Sequence, residues 1–285
     1  MGIVVQTNVT SLIAQNNLTT ATARMDQAME RMTTGYKINT AKDDAAGLYV
    51  ATSLDKNIRG SEIAQKNVQM GNDMISVAEG DLSGIQDNLL RIRDLALTAA
   101  NGIYDEASLD AIKAEVQARL DEIDRVAEVS EYNGKKLLNG KVEKITLQVG
   151  ANTSEFDVID IEGVFGAARA SALGVATDTV DTAFKIVADE DTTEKLHTFV
   201  DTVDTALKDV QTRRTEIGAI QNRLDSAAQS LTTTIENLTS SKSTIMDADI
   251  AAESTEYINA QILQQAAASL LVQANQTPQI ALSLI

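Results

Sequence analysis

No charged side chain precedes Arg24 and none follows Glu256, so all 24 Lys+Arg and 41 Asp+Glu lie between those two positions. This placement constrains the chain more than any motif does. Disordered tails are charged and poor in apolar residues, whereas these ends mix Leu, Ile, Val and Ala with Gln, Asn, Ser and Thr. A membrane span needs about 20 predominantly apolar residues, and the amides interrupt any such run. A secretory signal needs a basic start and an apolar stretch of roughly 7–15 residues, and the opening Met1 to Asn8 has neither. Uncharged, half-apolar ends are expected to be buried against other protein, without membrane insertion.

The remaining composition excludes several kinds of chemistry. The chain has no Cys and one His, His197, so a thiolate nucleophile or a Cys/His zinc site cannot be built. A net charge of −17 argues against nucleic acid, whose binding rests on Lys and Arg neutralising phosphates. Asp43-Asp44 and Asp247-Ala248-Asp249 are expected to cap helix starts rather than to act as catalytic acids or hold a metal. No cofactor is expected.

A single Pro in 285 residues permits long uninterrupted helices. Ser11, Ala14, Leu18, Ala21, Met25, Ala28 and Met32 alternate by three and four, a coiled-coil seam ending at Gly35. A second helix begins near Ala45, with Met70, Met74 and Val77 on one face, then Leu82, Ile85, Leu89, Ile92, Ala96 and Ala99. Asn101-Gly102 breaks it. A third starts near Asp105 and turns Leu109, Ile112, Val116, Leu120, Ile123 and Ala127 inward. Asn133-Gly134 and Asn139-Gly140 mark turns. Alternation at Ile145, Leu147 and Val149, then residues 156–161, predicts a β-hairpin. Residues 163–191 read as loop with at most a short element.

Leu196, Val200, Val203, Leu207 and Val210, continued by Ile217, Ile220, Leu224, Ala227 and Leu231, predict a helix of about 40 residues. Ser240 to Thr244 are expected to interrupt it. A last helix from Asp247 or Asp249 carries Leu263, Ala267, Leu270 and Ala274 on one face and frays at Pro278. A helix of about 50 residues spans about 75 Å, too long for a compact globule of this size, whose radius of gyration is about 19 Å. The fold class expected is mainly α: a long antiparallel bundle or coiled-coil rod with a small β-hairpin region and paired N- and C-terminal helices.

Several segments now stand out together. RMTTGYKINTAKDDAAGL (Arg31 to Leu48), TNVTSLIAQNNL (Thr7 to Leu18) and NVQMGNDMISVAEGDL (Asn67 to Leu82) resemble the N-terminal half of bacterial flagellins. IGAIQNRL (Ile217 to Leu224), NLTSSKSTIMDADIAAE (Asn237 to Glu253) and ILQQAAASLLVQANQTPQIALSLI (Ile262 to Ile285) resemble the C-terminal half. The resemblance implies a filament subunit without outer inserted domains. Residues 1–45 and 240–285 would form inner-tube helices and connectors, and 46–239 a helical layer with the hairpin near 142–161. It implies assembly into a helical homo-oligomer, export through the flagellar type III apparatus, an extracellular location, and contacts with an export chaperone, filament cap and hook-junction proteins.

Leu18, Met25, Met32, Leu263, Ala267, Leu270 and Ala274 are the candidates for packing between subunits. Arg31, Asn39, Lys42, Asp43 and Asp44 belong to the connector between layers. Leu90 to Leu97 (LRIRDLAL), with Glu115, resembles the segment recognised by the vertebrate Toll-like flagellin receptor, and Arg91, Leu95 and Glu115 match its contact positions. Leu90 departs from the pattern, which has a polar amide there. The rival readings are a hook–filament junction protein, which shares the end helices, and a secreted membrane translocator, which the many Gln and Asn make costly. No residue pattern supports an enzyme.

Overall fold

In a computed structural model, residues 7–101, 103–141, 144–184 and 191–283 are described. Six helices follow in order: α1 (Val9–Thr34), α2 (Ala45–Ala99), α3 (Glu106–Val129), α4 (Thr177–Ala183), α5 (Asp191–Met246) and α6 (Ile250–Ser283). The chain forms two compact units, residues 1–58 with 236–285, and residues 59–235.

The starts of α1, α2, α3 and α6 carry the capping side chains that orphaned N–H groups require. The Asn8 side chain accepts from Ser11 N at 3.1 Å, Asp44 from Gly47 N at 2.8 Å, and Asp105 from Ser108 N at 3.1 Å. Asp249 accepts from the N–H groups of Ala251 and Ala252. α1 ends where Gly35 turns to φ 76° and returns its N–H to the Arg31 carbonyl at 2.9 Å, a left-handed cap that glycine adopts without steric cost.

Residues 59–235 hold one continuous core. Leu82, Ile85, Leu89, Ile92 and Ala96 of α2 are fully buried, as are Val116 and Ile123 of α3 and Val203, Val210, Ile217 and Leu224 of α5. Each such large aliphatic side chain contributes roughly 1.5–3 kcal/mol. Cross-helix bonds show α2 and α5 to be antiparallel: Gln65 to Thr232, Asn72 to Asp225, and Arg93 to Asp204 at 2.5 Å. α3 lies antiparallel to α2 through Arg119 to Asn88 and Arg91 to Glu115.

Two hairpins follow α3. Strands β1 (Glu131–Tyr132) and β2 (Lys135–Lys136) pair through Asn133 and Gly134, whose φ of 48° and 79° make the two-residue turn of positive-φ residues that Asn-Gly favours. β3 (Lys144–Gln148) pairs with β4 (Val158–Glu162), Ile145 opposite Ile161 and Leu147 opposite Ile159. Residues 142–143, where the hairpin was expected to start, lie outside the described residues, as does Gly102.

Four expectations are corrected. Ser240 to Thr244 do not interrupt α5, which runs to Met246. The Ser241 and Thr244 hydroxyls donate to carbonyls four residues back, at 2.8 and 3.0 Å, satisfying themselves within the helix. Phe156 is not in the strand but in a short 3-10 turn and is 95 % exposed. Ser154 and Asp157 cap that turn reciprocally. Met70 and Val77 do not share Met74's buried face: Met74, Ile75 and Ala78 are buried while Met70 is half exposed. The helical backbone of α6 passes Pro278 to Ser283, since proline removes one ladder bond without obliging a helix to stop.

Residues 163–184 are loop with the one short helix α4, as the sequence suggests, but they do not lie on the surface. They are core: Val164, Phe165, Ala168 and Val175 are fully buried, and Phe184 meets the Phe199 ring edge-to-face at 6.1 Å. Arg213 fixes this segment by donating to the Gly166 and Ala167 carbonyls at 3.1 and 3.0 Å. Burial pushes the Arg213 guanidinium below its ordinary value, against the carboxylates of Asp209 and Glu216.

Candidate assembly interface

In the unit of residues 1–58 and 236–285, α1 and α6 pair along their lengths. The Asn8 side chain donates to the Ala274 carbonyl at 2.7 Å, Ser11 to Asn275 at 2.8 Å, and Gln264 to Thr22 at 3.0 Å. Arg31 pairs with Glu253 at 3.1 Å. Rising numbers on one helix meet falling numbers on the other, so the pair is antiparallel. The α1 seam is as the spacing predicts: Ala14, Ala21 and Ala28 are buried and Ser11, Leu18, Met25 and Met32 half-buried.

The α6 seam lies one step round from the expected face. Ala260 and Ala267 are buried, and Glu253, Tyr257, Gln264, Leu271 and Ala274 half-buried. The bonds above place Leu18 level with Ala267, Met25 with Ala260, and Ala14 with Leu271. Small thus meets large at successive levels, the interdigitation of a packed seam.

Leu263 and Leu270 therefore do not face α1. They remain 52 % and 58 % exposed. With Ala266 they form one wall of a groove of about 400 Å³ whose floor is Ala14, Ala21 and Ala267 and whose other wall is Asn17, Thr20 and Arg24. A second hollow of about 310 Å³ adjoins it, lined by Thr10, Ile13 and Gln273 among others. At helical spacing Ile258, Ile262 and Val272, each more than half exposed, fall on the side of α6 away from the seam. α6 carries apolar side chains among its amides on every side, and α1 covers only one of them.

The connector residues gather where α1 gives way to α2 and α5 to α6. One Asp43 carboxylate oxygen accepts from Asn39 N, Thr40 N and the Thr40 hydroxyl at 3.1, 2.9 and 3.0 Å. These bonds, with Thr40's backbone N–H the largest contributor, hold the carboxyl below its ordinary value. Lys37 N donates to the Met246 carbonyl at 2.7 Å and Ala248 N to the Gly35 carbonyl at 2.8 Å, so Tyr36 and Asp247 form an isolated antiparallel bridge. Lys37 Nζ adds a bond to the Thr244 carbonyl. The Asn39 side chain donates to the Tyr36 carbonyl, and Lys42 is exposed. Sequence reasoning missed the bridge, because backbone bonds leave no trace in residue types.

On α2, Leu89, Ile92 and Ala96 face the core as expected. Leu95 is 6 % exposed and lies in that core too. Arg91 is exposed and Glu115 half-buried, and they pair with each other at 2.8 Å. His197 is exposed on α5. No helix among the described residues is long and apolar enough to cross a membrane.

Comparison with known proteins decides the family. The chain matches the bacterial flagellin N-terminal helical region over residues 5–143 and the bacterial flagellin C-terminal helical region over residues 200–285. It is 37 % identical to the flagellin of Bacillus subtilis over 98 % of both chains. It is 38 % identical to that of Xenorhabdus nematophila over the full length of both. The chain belongs to the bacterial flagellin family. It is a flagellin of 285 residues without large inserts, a structural subunit of the extracellular flagellar filament. A solved structure of a putative flagellar hook-associated protein from Vibrio parahaemolyticus covers 71 % of this flagellin and 99 % of its own chain. Its TM-score is 0.61 and its identity 15 %, a likeness of fold alone, so the hook-junction reading is not the better supported.

Proposed function

We propose that the α1/α6 pair forms the inner layer of the filament, with residues 1–45 and 240–285 assigned to it, and that its exposed apolar residues pack against the same pair in neighbouring copies. The observation that carries this reading is that α6, charge-free beyond Glu256, presents Leu263 and Leu270 on one flank and Ile258, Ile262 and Val272 behind, each more than half exposed among the described residues. A helix that carries apolar side chains all round is buried in its working state. Leu18, Met25, Met32, Ala267 and Ala274 serve the intrachain seam, and Leu263 and Leu270 serve the contact between copies. That contact joins different surfaces on the two copies and does not close, which yields a helical filament rather than a ring. The role is structural rather than catalytic.

Export through the flagellar type III apparatus, with an export chaperone, filament cap and hook-junction proteins as partners, fits this subunit by its family. The Arg91–Glu115 pair supports contact with the Toll-like flagellin receptor in the free chain, while Leu95 shapes that surface from beneath. The test of the central reading is removal of Tyr257 to Ile285. Seeded polymerisation should be lost while the circular dichroism and melting of the 59–235 unit persist. Filaments grown from the shortened chain would overturn the proposal.

A further inference from the structure

The apolar packing of the α1/α6 seam does not define its register. Its alanines recur every seventh residue on both helices, at 14, 21 and 28 and at 260, 267 and 274. Sliding α6 by seven residues one way would set Leu18 against Ala274 and Met25 against Ala267. Sliding it the other way would set Leu18 against Ala260 and Ala21 against Tyr257. Small still meets large in either shifted pairing, so packing alone barely distinguishes three alignments.

The exposed or part-buried hydrogen bonds of Asn8, Ser11 and Gln264 favour the observed alignment, and two stronger features at the connector end add to them. The first is the Arg31–Glu253 ion pair, with side chains 29 % and 15 % exposed. The second is the backbone bridge that ties Gly35 and Lys37 to Ala248 and Met246. Arg24 sits seven residues before Arg31. Sliding in one direction would leave Arg31 opposite Ala260 and Glu253 without a cation. Sliding in the other would bring Glu253 to Arg24 and keep an ion pair, at the expense of the bridge.

We infer that the junction between Arg31–Lys37 and Met246–Glu253 sets the register of the α1/α6 pair, the ion pair excluding slip in one direction and the backbone bridge opposing it in both. Fixing alignment is the best-attested role of a partly buried polar pair in an apolar seam.

Because the chain lacks Cys, paired cysteines report the alignment cleanly. Ser11→Cys with Asn275→Cys reads the observed register, and Ser11→Cys with Ala268→Cys the one in which Glu253 meets Arg24. The full chain is polymerised and oxidised, and the intrachain link is read as the faster-migrating monomer band on denaturing non-reducing gels that reductant abolishes, apart from unlinked monomer. In the parent background only the first pair should link. Arg31→Glu should reduce the first link at least about tenfold and make the second the main product, since it sets two carboxylates together in the observed register. Adding Glu253→Arg should restore the first link. Persistence of the first link as the main product in Arg31→Glu would overturn the inference. If Arg31→Glu gives neither link, the double variant decides: recovery of the first link supports the inference and failure to recover it overturns it.

Discussion

Asp43 holds Thr40 twice, one carboxylate oxygen accepting the backbone N–H at 2.9 Å and the hydroxyl at 3.0 Å. That oxygen closes the turn just before α2, whose first turn the neighbouring Asp44 caps. Two adjacent carboxylates thus do two separate structural tasks, and neither resembles an acid/base pair.

The turn should respond to acid. The folded-state pKa of Asp43 is depressed, so the ionised form is the one the turn favours. Its stabilisation is fully present above the unfolded value of about 3.9 and is lost as pH falls through the lower folded value. Protection of the Asn39 and Thr40 amides, relative to their intrinsic exchange at each pH, should fall across that acid window. Asp43→Asn should remove the pH dependence and leave both amides exchanging faster at neutral pH.

Leu270→Asp should abolish seeded filament growth, because an unpaired carboxylate buried between copies costs several kcal/mol. Leu270→Met, which conserves volume, should cost less than about 1.5 kcal/mol and leave growth close to normal. Growth rates of the two variants on parent seeds are the measurement. Equal growth by Leu270→Asp would show that this flank is not an assembly contact.

Phe165→Ala should destabilise the 59–235 unit by about 3–5 kcal/mol, the usual result of removing a fully enclosed aromatic side chain. Phe156→Ala, at a position 95 % exposed, should change stability by no more than about 0.5 kcal/mol. Urea unfolding of both variants checks the pair. A small effect at Phe165 would show that residues 163–184 are not part of the core.

Arg213→Ala should cost about 1–3 kcal/mol, since it leaves the Gly166 and Ala167 carbonyls without their donor in a half-buried site. Its effect and that of Phe165→Ala should fall short of additive, because both act on the same segment. A double-mutant cycle by urea unfolding measures the coupling.

The parts legible in the sequence were those whose signal is periodic. The alternation by three and four at Ala14, Ala21 and Ala28, or at Leu82, Ile85 and Leu89, follows from helix geometry alone, and Asn133-Gly134 needs only local dihedral preference. The α6 face was misplaced because a helix with apolar side chains on all sides has no privileged stripe: Leu263 and Leu270 read as a seam as convincingly as Gln264, Ala267 and Leu271. Residues 163–184 were opaque for the opposite reason. Val164, Phe165 and Ala168 are buried by tertiary packing and by Arg213's reach to their backbone, and neither leaves a repeat. Ser154 and Asp157, spaced as a capping box, did carry a signal that Phe156 sits in a turn.

The spread of apolar side chains around α6 ties two properties of the chain together. The side chains that would make a filament cohere are the same ones that the free subunit leaves exposed to water. Charge introduced there to keep the free subunit dissolved is charge taken from cohesion. Selection on this helix therefore acts on a single compromise, with the acidic remainder of the chain left to supply solubility.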